Sequence, residues 1–127
     1  MLLLDSEGLS KTLSANSQAT AFIAACQAED MLIAVSNLTL IEAWHDRVRM
    51  DRFQWLVSRL QVLPVTEPIS WRAIELLKET RLHGHKYAID AVVAATALGH
   101  PGPRIILTSD VDDMKRLCGE KVQVEEI

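Results

Sequence analysis

The chain has 127 residues, with 13 Lys+Arg against 17 Asp+Glu and a formal charge of -4. A composition that is 49% hydrophobic and 24% charged, with 5 Gly and 4 Pro, excludes a disordered, collagen-like or linker-rich polymer, and the length suits one domain spanning 1–127. An isoelectric point near 5.5 counts against a simple nucleic-acid binder, whose usual mark is a basic surface.

Short apolar runs alternate with helical patterns along the chain. Met1–Leu4 predicts a buried strand ending at Asp5, followed by a polar turn. Gln18–Ala28 reads as an alanine-rich helix and Leu32–Val35 as a second strand. Ser36 and Asn37 are cap-type residues that open a helix through "SNLTLIEAWHDRV". Asp51–Leu60 is helical through the spacing of Phe53, Leu56, Val57 and Leu60, and Val62–Val65 suits a short strand before Pro68. Ile69–Leu82 is helical, and "YAIDAVVAATAL" is a helix apolar nearly all round, hence buried. Arg104–Leu107 is a further strand, Asp112–Cys118 a short helix, and Val122–Val124 a closing strand. This alternation predicts an α/β fold, a three-layer α/β/α sandwich on a mostly parallel, flavodoxin-like sheet.

Cys26 and Cys118 form no disulfide framework or zinc motif and read as buried thiols of a reduced, cytoplasmic protein. The start "MLLLDSEG" lacks the basic n-region and long apolar stretch of a signal peptide, and no run reaches membrane-span length, so no membrane role is expected.

Ligand sites of open parallel sheets lie beyond the carboxyl ends of the strands, where the strand order reverses. Asp5 and Asp110 end predicted strands, Asp90 lies in the apolar helix, Glu42 lies among Leu38, Leu40, Ile41 and Trp44, and Asp113 stands one turn beyond Asp110. Singly each has an ordinary reading. Asp110 suits a helix cap, Asp5 a side-chain turn, Asp90 a cap for a helix starting at Ala91, and Glu42 a solvated face. Jointly, such acids repel one another unless a cation joins them, and oxygen donors suit Mg2+ or Mn2+. One ion or a pair would serve phosphodiester cleavage. Phosphate-cradling, dinucleotide and serine-nucleophile motifs are absent. His83 and His85 read as a surface HGH loop. Trp44, Trp55 and Trp71 read as core or interface packing in preference to base stacking.

The pattern "LLLDSEGLS … LTLIEAW … YAIDAVVAATAL … ILTSDVDDM" resembles the PIN domain, especially VapC-type toxin ribonucleases of type II toxin–antitoxin systems, over nearly the whole chain. The resemblance implies an Mg2+- or Mn2+-dependent endoribonuclease acting on RNA, a homodimer, and a cognate antitoxin that holds it inactive. It places the family's acids on Asp5, Glu42, Asp90 and Asp110, with Asp113 at the further acidic position. Asp5, Asp90 and Asp110 would hold the metal while Glu42 and Asp113 complete its shell or orient water. Ser6 matches the hydroxyl after the first acid, and Thr108 the one that steadies the last loop. Two positions depart from the pattern: Glu7 replaces a usual Ser or Asn, and Met114 a frequent aromatic. The other readings are a non-catalytic PIN-like module that binds RNA or a partner protein, and a receiver domain, which the missing strand-end Lys disfavours. Exposed apolar helix surface around Trp44–Trp55 would suit a partner helix.

The charge is unevenly spread. Residues 45–86 hold eight basic and five acidic side chains, whereas the flanking stretches are both acidic. Arg47, Arg49 and Lys86 in this basic stretch are the candidate phosphate-binding residues.

Overall fold

A computed structural model describes residues 1–127. Five strands, β1 (Leu2–Leu4), β2 (Ile33–Ser36), β3 (Gln61–Leu63), β4 (Ile105–Thr108) and β5 (Gln123–Glu126), form one sheet in the order β3-β2-β1-β4-β5. Every pairing is parallel. Seven helices connect them: α1 (Ser6–Leu13), α2 (Ser17–Ala28), α3 (Asn37–Ala43), α4 (Met50–Ser58), α5 (Glu67–Thr80), α6 (Gly84–Leu98) and α7 (Val111–Cys118). The α/β sandwich is therefore as the alternation of elements predicts, and the mostly parallel sheet is wholly parallel.

Side chains of a strand alternate between the two faces of a sheet, and the core divides accordingly. Leu3, Ala34 and Ile106 pack with Ala73 and Leu76 of α5, the α6 run Ala91–Ala95 and Met114 of α7. Leu2, Leu4, Val35 and Leu107 point the other way, onto Leu9 of α1, Cys26 of α2, Ala43 of α3 and Phe53 and Leu56 of α4. Leu2, Leu3 and Leu4 are each completely buried, at about 1.5–3 kcal/mol per side chain. Both cysteines are buried free thiols, as expected. No helix is long and apolar enough to cross a membrane.

Several expectations need correction. The polar stretch after Asp5 is a helix, not a turn: the Asp5 carboxylate accepts the Gly8 N–H at 2.8 Å and caps α1, while Leu9 is buried beneath it. Ser36 does cap α3, but that helix ends at Ala43, and Trp44 is already extended, so His45 and Asp46 do not continue it. The HGH sequence is no loop, because Gly84 and His85 open α6. The three tryptophans are not core residues: Trp44, Trp55 and Trp71 are 49%, 56% and 61% exposed. Met114 is fully buried, so the departure at that position is a packing substitution.

Two features of the packing are open to direct test. A Cβ added at Gly8 would sit 2.7 Å from the Leu107 carbonyl oxygen, which is backbone and cannot swing aside. Gly8→Ala is expected to destabilise the protein by about 1–3 kcal/mol, read as a lower midpoint of thermal or urea unfolding. The Thr39 hydroxyl is buried without a hydrogen-bond partner, so Thr39→Val should raise stability by about 1 kcal/mol in the same measurement.

Candidate metal centre

β1 pairs with β2 on one side and with β4 on the other, so the strand order reverses at β1 and β4. The chain leaves both strands at the same edge of the sheet. There the Asp5 amide donates to the Leu107 carbonyl at 3.3 Å, which ties the end of β1 to that of β4. Thr108, wholly buried, joins two of the acids: its hydroxyl accepts the Asp110 N–H at 2.9 Å and also hydrogen-bonds the Asp5 carboxyl.

Asp90 is half-buried in the middle of α6, which spans Gly84–Leu98, so it does not cap a helix starting at Ala91. Its carboxyl is pushed up to about 6, first by burial and then by the charges of Asp110, Glu42, Asp5 and Asp113, in that order. All the other acids singled out from the sequence thus act on Asp90 at one edge of the sheet. Asp5 is 6% exposed. Burial raises its carboxyl most; the Thr108 and Gly8 hydrogen bonds oppose that rise, and Glu7 and Glu42 add to it. Asp110 stands at the N-cap position just before α7 but makes no side-chain capping bond, which leaves its carboxylate oxygens open. Asp113 lies in the first turn of the same helix, and Glu42 is exposed on α3.

No cation is paired with this group. The ion pairs of the protein are Arg49–Asp51, Arg72–Glu75 and Arg72–Glu79, and none involves these acids. Lys86 stands one helical turn before Asp90, yet its ammonium lies over the Tyr87 ring, 5.1 Å from the centroid. No three acidic, histidine or cysteine side chains converge at ligand spacing. The donor set is nevertheless all carboxylate, and a hard divalent ion that keeps several waters needs only one or two carboxylates directly. The residues present therefore fit Mg2+ or Mn2+, with waters completing the shell.

Gly8 escaped the sequence reading, although it supplies the amide that holds Asp5. Its signal was the D-x-x-G spacing, which matches a helix cap and its third residue. Glu7 reaches Asp5 electrostatically from an exposed position, so the acidic field extends one residue beyond the matched pattern. Arg47 and Arg49 lie in and beside the 44–49 connection between α3 and α4, away from Lys86 in sequence and in element.

The profile of the PIN domain matches residues 2–120. No curated protein matches the chain by sequence. Among solved structures, the VapBC2 complex from Rickettsia felis, bound to a DNA fragment from its promoter, contains a chain that superposes with a TM-score of 0.74 at 14% identity, covering 99% of this chain and 98% of that one. A toxin–antitoxin complex from Klebsiella pneumoniae gives 0.71 at 22% identity with 100% of both chains covered. A FitAB complex bound to a DNA fragment gives 0.71 at 23%, covering 99% and 94%.

The raised Asp90 carboxyl carries a stability prediction. The folded protein holds this proton up to about pH 6, whereas an unfolded chain releases it near 3.8. Stability from this group is therefore highest below about pH 4 and falls as pH rises through 6. Asp90→Asn should raise the melting temperature by about 2–6 °C at pH 7.5 in metal-free buffer, and by nothing measurable at pH 4.

Proposed function

The chain belongs to the PIN-domain family, and from that premise we propose that it is an Mg2+- or Mn2+-dependent endoribonuclease, the toxin of a toxin–antitoxin pair. One observation carries the reading: Asp90 is half-buried, and its carboxyl is pushed up to about 6 first by that burial and then by the charges of four other carboxylates, none of which is ion-paired. Such a group is costly in a merely structural protein and useful where a cation and a phosphodiester meet.

In this reading Asp5, Asp90 and Asp110 would hold the cation, one or two of them directly and the rest through its waters. The ion, when bound, supplies charge neutralisation at the phosphate and makes its coordinated water more acidic. The chain's own parts have separable tasks. The Gly8 amide and Thr108 hydroxyl fix the Asp5 oxygens, and the same hydroxyl fixes the start of α7 and hence Asp110. Glu42 and Asp113 accept hydrogen bonds from water at the rim and orient it. Ser6, the first residue of α1, offers a hydroxyl beside Asp5. Lys86 lies on the face of α6 that carries Asp90 and supplies a positive charge for the phosphate. Asp90 would have to release its proton to hold the ion, so affinity for the ion would rise with pH through about 6.

The toxin role is supported by the toxin–antitoxin complexes among the similar folds. An antitoxin that presents an Arg fork to these carboxylates would silence the centre, and homodimer formation would use apolar side chains left in solvent, such as Ile41, Trp71 and Ile74. A cytoplasmic location accords with the free thiols.

The test is cleavage of structured RNAs by protein stripped of any co-purified inhibitor, with Mg2+, Mn2+ or EDTA. Metal-dependent cleavage is expected, lost in Asp90→Asn and Asp5→Asn and reduced about 10–100-fold in Glu42→Gln. Mn2+ should raise the melting temperature of the wild type and leave that of Asp90→Asn unchanged. Intact RNA under every metal condition, with no thermal shift, would replace the nuclease by a non-catalytic module that binds RNA or a protein.

A further inference from the structure

Two open clefts adjoin along α4 and share Arg49 and Arg52. One, of about 280 Å3, is bounded by Ser10, Leu13 and Ser14 of α1 and by His45, Arg47 and Val48 of the 44–49 connection. The other, of about 420 Å3, is lined by Arg49, Asp51, Arg52 and Trp55. We propose that this continuous cleft is a single-stranded RNA subsite, in which Arg47, Arg49 and Arg52 take phosphates and the Trp55 indole stacks a base. The inference rests on the ribonuclease reading and names where that enzyme holds the strand beside the scissile bond.

The chemistry of the lining favours a nucleic acid. Three guanidiniums face the clefts against a single carboxylate, Asp51, in a protein whose overall charge is -4. Arg49 and Asp51 meet at 2.9 Å, but both side chains are more than 70% exposed, so a phosphate can compete for this pair at little cost. Trp55 is over half exposed and lines the cleft, while Arg59, which does not line it, lies over the indole 5.2 Å from the centroid. A large apolar ring kept in solvent beside arginines is the combination that single-stranded nucleic acids use: the charges track the backbone and the ring accepts any base.

Placement agrees with the chemistry. α1 begins directly after Asp5, and Ser10 lies five residues further on, about 7.5 Å along the helix axis. Arg52 Nε donates to the Leu13 carbonyl at the end of α1 at 3.0 Å, which fixes α4 to the helix that leaves the acidic centre. A strand engaged at the carboxylates and running along α1 reaches Arg52 at the end of that helix, in the cleft that Trp55 also lines.

The experiment measures binding apart from cleavage. A fluorescein-labelled single-stranded 12-mer RNA is titrated by anisotropy with Asp90→Asn protein in EDTA, with the cleft intact or altered. Trp55→Ala should weaken binding about tenfold or more, and Trp55→Phe should stay within about threefold of the parent. Arg49→Gln, at an exposed position, should lower the slope of log K against log salt by about 0.7 for each phosphate no longer neutralised. Unchanged binding in both Trp55→Ala and Arg49→Gln overturns the subsite. So does a blunt duplex RNA that competes as well as the single strand. A poly-glutamate peptide that binds with the same dependence on Trp55 assigns the cleft to an acidic protein segment and overturns it too. Wild-type cleavage together with unaltered binding by the cleft variants defeats the subsite alone. Trp55-dependent binding without wild-type cleavage supports the subsite and defeats the nuclease reading alone.

Discussion

Mutual repulsion among carboxylates at one edge of a parallel sheet is the constraint around which the rest of this structure is arranged. Asp5, Asp90 and Asp110 come from three elements, and Glu42 and Asp113 join them from two helices. Left to themselves such groups would swing apart into water. The protein holds them by burying Asp5, by seating Asp90 on a helix whose next seven residues are all buried, and by running Thr108 between the ends of two strands. Each device relies on backbone that packing has already fixed. The repulsion is thus met by rigid elements, which keep the carboxylates together without a counter-ion.

The layered fold was readable in the sequence because its strands are short, apolar and regularly interrupted by helical periods. Leu2–Leu4 and Ile105–Leu107 admit no other reading once the helices beside them are placed, and the buried character of α6 follows from an apolar circumference around Asp90. α1 was harder to see. Ser6, Gly8 and Ser10 have turn-like chemistry, and the helix exists because Asp5 caps it locally and Leu9 is buried under it, the second being a tertiary fact. The end of α3 at Ala43 was equally hidden, since the pattern of apolar residues continues through Trp44 and Val48 after the helix has stopped.

At the candidate site, the identity of the acids could be read from strand ends and family pattern, whereas their mutual position could not. Nothing in the local sequence says that Asp110, which has every mark of an ordinary helix cap, leaves its oxygens free while Thr108 takes its amide. The tryptophans show the opposite limit. Hydrophobicity alone places Trp44, Trp55 and Trp71 inside, yet Trp55 has Asp51, Arg52 and Arg59 one turn away, Trp71 has Glu67 and Glu75, Trp44 stands beyond the end of α3, and all three remain in solvent. Acidic and basic residues are likewise segregated in space as well as along the chain: carboxylates gather beside Asp90, and Arg47, Arg49 and Arg52 gather along α4. The low isoelectric point therefore describes an average over two surfaces of opposite sign.

The close approach of Gly8 to the Leu107 carbonyl separates the part of the surface that tolerates substitution from the part that does not. The first acid is positioned by a helix set directly against a central strand, with no intervening side chain, so its place is inherited from the sheet and is insensitive to the loops. The 44–49 connection and α4 carry no such restriction, because their arginines and Trp55 stand in solvent. Substitutions in the arginine-lined cleft therefore leave Asp5 where it is, whereas a side chain at position 8 meets the backbone of β4. The acidic edge and the cleft are separable because one residue has no side chain.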